Sequence, residues 1–172
     1  MAITGKLLKR RFPQLLEKFD NNDLEALLGV LNRLDLEADQ ELRRYGDYAD
    51  SLYLVWKGSL AQSMEIGGET IPLGVTGAGQ HVGTVAIIDP GPALATVRTA
   101  EPGTLLCLDQ TGLKTLKQKH PRAAGKLWRA LSLELSEWLR VYEEYMSRRG
   151  GPQASGEGFV QRGRYLMGIR SE

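Results

Sequence analysis

The stretch HVGTVAIIDPGPALATVR, from His81 to Arg98, has the outline of a phosphate cradle. A glycine opens a short apolar turn, a Gly-Pro loop follows, and a β-branched strand closes it. Holding a phosphate there takes backbone N–H groups converging at the start of a helical turn and a cation to meet the charge. Gly83, Thr84 and Val85 fit the first requirement. Nothing fits the second: between Gly83 and Val97 there is no Arg, Lys or Glu, and the only charge is the anion Asp89. Arg98 falls on the strand beyond the loop. Elsewhere no Ser-His-Asp, Cys-His or paired-carboxylate arrangement emerges, so no catalytic residue is named and no enzyme is expected. The single cysteine, Cys107, excludes an internal disulfide framework and a cysteine-held zinc or iron–sulfur cluster, and no metal is expected.

The elements that must position this loop are those of one ordinary domain. The chain has 172 residues, 42% hydrophobic and 25% charged, and a net charge of +1, which gives no global attraction to nucleic acid or anionic lipid. The start, MAITGKLLKRRF, lacks an apolar run of signal-peptide length, and no segment has the roughly 20 apolar residues of a bilayer span. A cytoplasmic location without membrane contact is expected. Lys6–Phe19 is helical in pattern, with Pro13 placed best in the first turn of a helix. Its Lys6, Lys9, Arg10 and Arg11 read as a solvated face. Asn21–Leu31 is a second helix, with Asn22 or Asp23 as its cap and Leu24, Leu27, Leu28 and Leu31 as its stripe. From Leu34 to Leu108 short strands and glycine turns alternate. SLYLVWKGSLAQSMEI reads as two strands meeting at Lys57-Gly58, Gly67-Gly68 as a tight hairpin, and ATVRTA and GTLLCLD as two further strands. Strands about ten residues apart without βαβ alternation indicate a barrel or sandwich. TGLKTLKQKH is a short helix that stops at Pro121. Pro121–Arg149 is one long helix with two apolar stripes. One stripe holds Ala124, Leu127, Leu131, Trp138, Val141 and Tyr145, with Glu134 as its odd member. The other holds Trp128, Leu135, Leu139, Tyr142 and Met146.

That order of elements resembles the cyclic-nucleotide-binding domain, the sensor shared by catabolite activator proteins, protein kinase A regulatory subunits and cyclic-nucleotide-gated channels. GDYADSLYLVWKGSL (Gly46–Leu60) is similar to the family's Gly-Asp stretch with its Tyr, Val and Gly. GAGQHVG (Gly77–Gly83) is similar to the opening of its phosphate-binding cassette, and PALATVRTAE (Pro92–Glu101) to the exit strand. The resemblance covers about residues 20–148. It implies an α+β fold: an antiparallel β-roll (a double-stranded β-helix or jelly roll) flanked by N-terminal helices and a long C-terminal helix. The expected division is helices at 1–33, the β-roll at 34–110 with the cassette at 81–98, helices including a dimerisation helix at 111–149, and a flexible basic tail at 150–172.

In the family the cassette carries a Gly-Glu pair, an apolar turn, then Arg and a small residue. The Glu accepts from the ribose and the Arg forks onto the cyclic phosphate. Carried over by position, Gly83 matches the glycine, Thr84 stands for the Glu, Ala93 for the Arg and Leu94 for the small residue, with Val85 and Ala95 beside them. A phosphate without its charge partner loses about 3–5 kcal/mol, and the ribose contact about 1–2 kcal/mol more. Cyclic AMP and cyclic GMP are therefore disfavoured, and no cofactor is expected. Some proteins of this fold hold haem through His or Cys. Cys107 lies in an apolar strand and His81 at a turn or strand edge, so haem is disfavoured too. Thr84 is also a natural N-cap, His120 a helix-boundary residue, and Ser132 and Ser136 either reach a bound base or bond their own backbone. Only a short tail follows Arg149, so no helix-turn-helix and no DNA binding are expected.

Two functions follow. In the first, the domain has lost cyclic-nucleotide binding and acts through homodimerisation and contact with another protein. Leu127, Leu131, Trp138 and Tyr145 then form the dimer seam, and the partner protein is unknown. In the second, the β-roll senses a small ligand, a nucleotide held in an unusual way or an uncharged or apolar molecule.

Overall fold

The computed structural model describes residues 2–149, so the tail at 150–172 lies outside the described residues. The N-terminal helices are α1 (Gly5–Arg11), α2 (Pro13–Leu16) and α3 (Asn21–Leu28). Pro13 takes the first position of α2, where a missing N–H costs nothing. The expected cap of α3 at Asn22 or Asp23 is corrected: Asp20 is the N-cap. Its carboxylate accepts from the Asp23 N–H at 3.0 Å while the Asp23 carboxylate accepts from the Asp20 N–H at 3.0 Å. This reciprocal box needs an acceptor three residues into the helix, and Asp23 supplies it. The basic face of α1 is not wholly solvated either. Lys9 Nζ donates to the Phe19 carbonyl at 2.7 Å, and the Arg11 guanidinium lies 5.3 Å from the Trp56 ring centre.

Eight strands follow: β1 (Asn32–Leu36), β2 (Glu41–Arg43), β3 (Tyr48–Ala49), β4 (Leu52–Ile66), β5 (Glu69–Gly77), β6 (His81–Val82), β7 (Gly91–Pro92) and β8 (Thr96–Leu108), with the one-turn helix α4 (Thr84–Ile88) between β6 and β7. All pairs are antiparallel. The main sheet runs β1-β8-β4-β5, with β2 added on β8 and β6 on β4, while β3 and β7 form a separate ribbon. The two strands expected on either side of Lys57-Gly58 are one strand, β4, with an irregular register there, and ATVRTA and GTLLCLD are likewise one strand, β8. The two irregularities face each other. Gly58 has φ +82°, and a Cβ on it would lie 2.5 Å from the Glu101 carbonyl oxygen; a Cβ on Gly103 would lie 1.9 Å from that of Lys57. The glycines read as strand ends are close backbone approaches that bend paired strands.

The C-terminal helices are α5 (Gln110–Lys119) and α6 (Pro121–Arg149). α6 packs against α2, α3 and α5. The main core joins these helices to one side of the roll and contains Leu8, Phe12, Leu16, Leu24, Leu54 and Leu108. Leu127 and Leu131 belong to it, at 1% and 0% exposure. The dimer seam expected through them is therefore corrected, since side chains sealed inside one molecule cannot meet a second. Of the other stripe, Leu139 is 63% exposed and Tyr142 is exposed as well, while Trp128 packs against the core. The Tyr145 side chain lies outside the described residues. A second cluster, with Val55, Leu60, Val97 and Leu105, fills the far side of the roll. No helix among the described residues is long and apolar enough to cross a membrane.

Candidate ligand pocket

Gly83 fixes the start of the loop. Its φ is +99°, and a Cβ there would lie 2.1 Å from the Ser51 carbonyl oxygen, so only glycine fits. It is also the N-cap of α4, which corrects the reading of Thr84 as the cap; Thr84 is the first helical residue. The turn closes with Ile87 N–H to the Gly83 carbonyl at 2.9 Å. Gln110 Nε2 then pins its end, donating to the carbonyls of Asp50 at 3.1 Å and Ile87 at 3.2 Å. The return of the loop is anchored at Ala93, whose N–H donates to Asp47 O at 2.7 Å and whose carbonyl accepts from Gly46 N–H at 2.9 Å.

Gly83, Thr84, Val85, Ala93, Leu94 and Ala95 all border one cavity of about 400 Å³. That volume lies within the range of small-molecule sites, about 300–1,000 Å³. Ala93 is buried, whereas Leu94 is 61% exposed at the edge of the hollow. Met64, Leu73 and Val97 supply apolar wall from the sheet. Glu134, Trp138 and Val141 supply wall from α6, so Trp138, expected at a dimer seam, borders the cavity instead.

Two residues there do what the cassette sequence does not announce. Arg43 of β2 borders the cavity because it pairs with Val97 of β8, which also borders it. Arg98, one residue on, points the other way and is held outside by Glu41 at 2.7 Å and Asp39 at 3.4 Å. Glu134 brings a carboxylate to the position where the cassette has Thr84. Its Oε2 lies 2.9 Å from His81 Nε2 and accepts from Thr84 Oγ1 at 3.4 Å. A carboxylate accepts, so His81 carries a proton on Nε2 in this contact. The signal for Glu134 was its place as the one charged member of an apolar stripe. Arg43 had no local signal, since only the β2–β8 register brings it there.

The remaining candidates lie elsewhere. Cys107 sits in β8 away from the cavity, and burial pushes its thiol above the usual range. His120 caps the end of α5, its N–H donating to Leu116 O. Ser136 Oγ donates to the Ser132 carbonyl at 2.9 Å, the backbone option of the two expected. Among the described residues, no three His, Cys, Asp or Glu side chains gather to hold a metal.

An antiparallel β-roll, a one-turn helix at the edge of its cavity and a long helix along the opening define a β-roll domain with a helix-walled cavity. The sequence profile of the cyclic nucleotide-binding domain matches residues 33–120, half of the chain, and the protein belongs to that family. A cyclic nucleotide-binding domain from Methylobacillus flagellatus superposes with a TM-score of 0.71 at 21% identity, over 87% of this chain and 88% of that one. The N-terminal domain of a transcriptional regulator from Streptomyces coelicolor gives 0.66 at 26% identity, over 72% and 89%. The regulatory domain of Toxoplasma gondii PKA, crystallised with cAMP, gives 0.59 at 30% identity, over 71% and 45%. No curated protein matches the chain.

Proposed function

We propose that this domain is a regulatory module whose β-roll cavity receives a small, largely apolar effector in place of a cyclic nucleotide held in the family's way. The observation that carries the reading is the cavity: about 400 Å³ of space walled by alanine, leucine, valine and methionine, with alanine where the family places its phosphate-binding Arg. Affinity for an apolar molecule then comes from area removed from water, about 25 cal/mol per Å². α6 carries the response, because Glu134, Trp138 and Val141 meet the effector from the same helix that exposes Leu139 and Tyr142 outside. Those two side chains support a contact with another protein or with a second copy of the chain. The domain performs no catalysis of its own.

Thermal denaturation with cyclic AMP, cyclic GMP, cyclic dinucleotides, haem and a set of apolar organic molecules tests this. A ligand of the folded state raises the melting temperature as its concentration passes Kd. Apolar molecules are expected to do so and the nucleotides not. A shift with cyclic AMP at micromolar concentration overturns the reading. A shift with no compound at all returns the domain to the role of a ligand-free interaction module.

A further inference from the structure

The polar groups bordering the cavity divide into those with partners and those without. Glu134 is engaged by His81 and Thr84. Asp89 is exposed on the loop after α4, where water screens its charge. Arg43 differs. It is half-buried, its guanidinium carbon lies 5.4 Å from the centre of the Tyr53 ring, and among the described residues no carboxylate stands within ion-pair distance of it. Trp138 also borders the cavity, but its Nε1 is buried away from the open space, so the side chain serves there as aromatic wall. A half-buried cation backed only by a ring face is costly unless something completes it.

From Arg43 we infer that the cavity takes a monoanion on an apolar body, such as a carboxylic acid with an alkyl or aryl chain, with the Arg43 guanidinium meeting the charge. This rests on reading the cavity as an effector site. The guanidinium fork matches a carboxylate in two parallel hydrogen bonds. The walls match the chain behind it. A second negative charge on the ligand is disfavoured, because the other charged groups bordering the hollow, Asp89 and Glu134, are themselves anionic.

Isothermal titration calorimetry with decanoate and with 4-phenylbutyrate, each against its neutral primary amide, tests the inference. Wild-type protein is expected to bind at least one carboxylate tenfold or more tightly than its amide. Arg43→Gln should abolish that preference and Arg43→Lys should keep part of it, while both variants retain the wild-type melting temperature to within a few degrees. Equal binding of acid and amide by the wild type, or a preference that survives Arg43→Gln, overturns the inference and leaves the apolar-effector reading standing. Cyclic AMP binding more tightly than either carboxylate, and lost in Arg43→Gln, overturns the apolar body while keeping the anchor. Binding of none of the four probes overturns both readings together.

Discussion

Two regions of this molecule bury apolar side chains, and they do so with opposite results. Where α1, α2, α3, α5 and α6 meet the roll, the buried residues are mostly large: Phe12, Phe19, Leu16, Leu24, Leu127 and Leu131 pack in one cluster. At the cassette a separate buried cluster consists of Ala49, Ala86 and Ala93 alone, and space remains beside it. Side-chain size decides the difference, since both regions are apolar. The helical region spends its burial on stability. The alanine region leaves part of its possible burial to whatever enters.

The largest expected effect breaks the filled region. Leu131→Ala should lower stability by about 2–5 kcal/mol, because a deleted core side chain leaves a cavity that closes only in part. Leu139→Ala, on the exposed side of the same helix, should change stability by less than about 0.5 kcal/mol. Urea denaturation of both variants measures the contrast, and equal losses would mean that the α6 faces are reversed.

The hollow region should respond to added chemistry. Ala93→Arg with Leu94→Ala returns the cation and the space beside it. Cyclic AMP affinity should then rise by at least about a hundredfold, roughly 3 kcal/mol, read by calorimetry. Adding Thr84→Glu, which restores the family's ribose acceptor, should cancel part of the gain, because the Thr84 hydroxyl already lies 3.4 Å from the Glu134 carboxylate and a second carboxylate there is repelled. No gain in the double variant would show that the backbone of the cradle, and not only its side chains, has changed.

A smaller change should fill the hollow. Ala93→Leu extends a buried methyl into open space, so its effect on stability should stay within about 1.5 kcal/mol, less than overpacking a full core. Binding of decanoate should be lost with it. A stability loss as large as that of Leu131→Ala would mean that the cassette is as tightly filled as the helical core, and the contrast between the two regions would fail.

The smallest effect lies at the rim of the filled region. The Asp20 carboxyl is held below its ordinary value of 3.8 by the Asp23 backbone N–H, with Lys126 and Arg122 adding to it. The folded state therefore binds that proton less readily than the unfolded one. The stability this contributes is present above the ordinary value and disappears as the pH falls through the lowered one. Asp20→Asn keeps a capping side chain without the charge. Its melting temperature should fall less than that of the wild type as the pH is lowered from 5 toward about 2. Parallel pH profiles would remove Asp20 from the account.

Much of this contrast is legible in the residues. The turn glycines, Pro13, the hairpin at Gly67-Gly68 and the spacing from Gly83 to Ala95 carry the roll and the cassette, because each marks a backbone shape that few other residues adopt. The direction of α6 is not legible in this way. Its two stripes are about equally apolar, and only the packing of α2, α3 and α5 shows that Leu127 and Leu131 turn inward. β4 and β8 look divided because a bend glycine and an end glycine read alike in sequence. Arg43 was invisible for a different reason: it reaches the cavity through pairing with Val97, far away in the chain, and no local pattern encodes that register.

The long pairing of β4 with β8 also sets an order of events. Leu52 meets Leu108 and Ser63 meets Thr96, so the central ladder joins segments that the ribosome delivers well apart in time. Contacts of such sequence separation form slowly, because the intervening chain must be closed before the ladder rewards it. Helices α1 and α3 need no such wait. During synthesis β4 therefore emerges, with Leu54, Val55 and Leu60 along it, before the strand that covers its edge exists. In that interval the strands of this chain available to it are β5 and β6, and its free edge is open to a chaperone or a neighbouring chain.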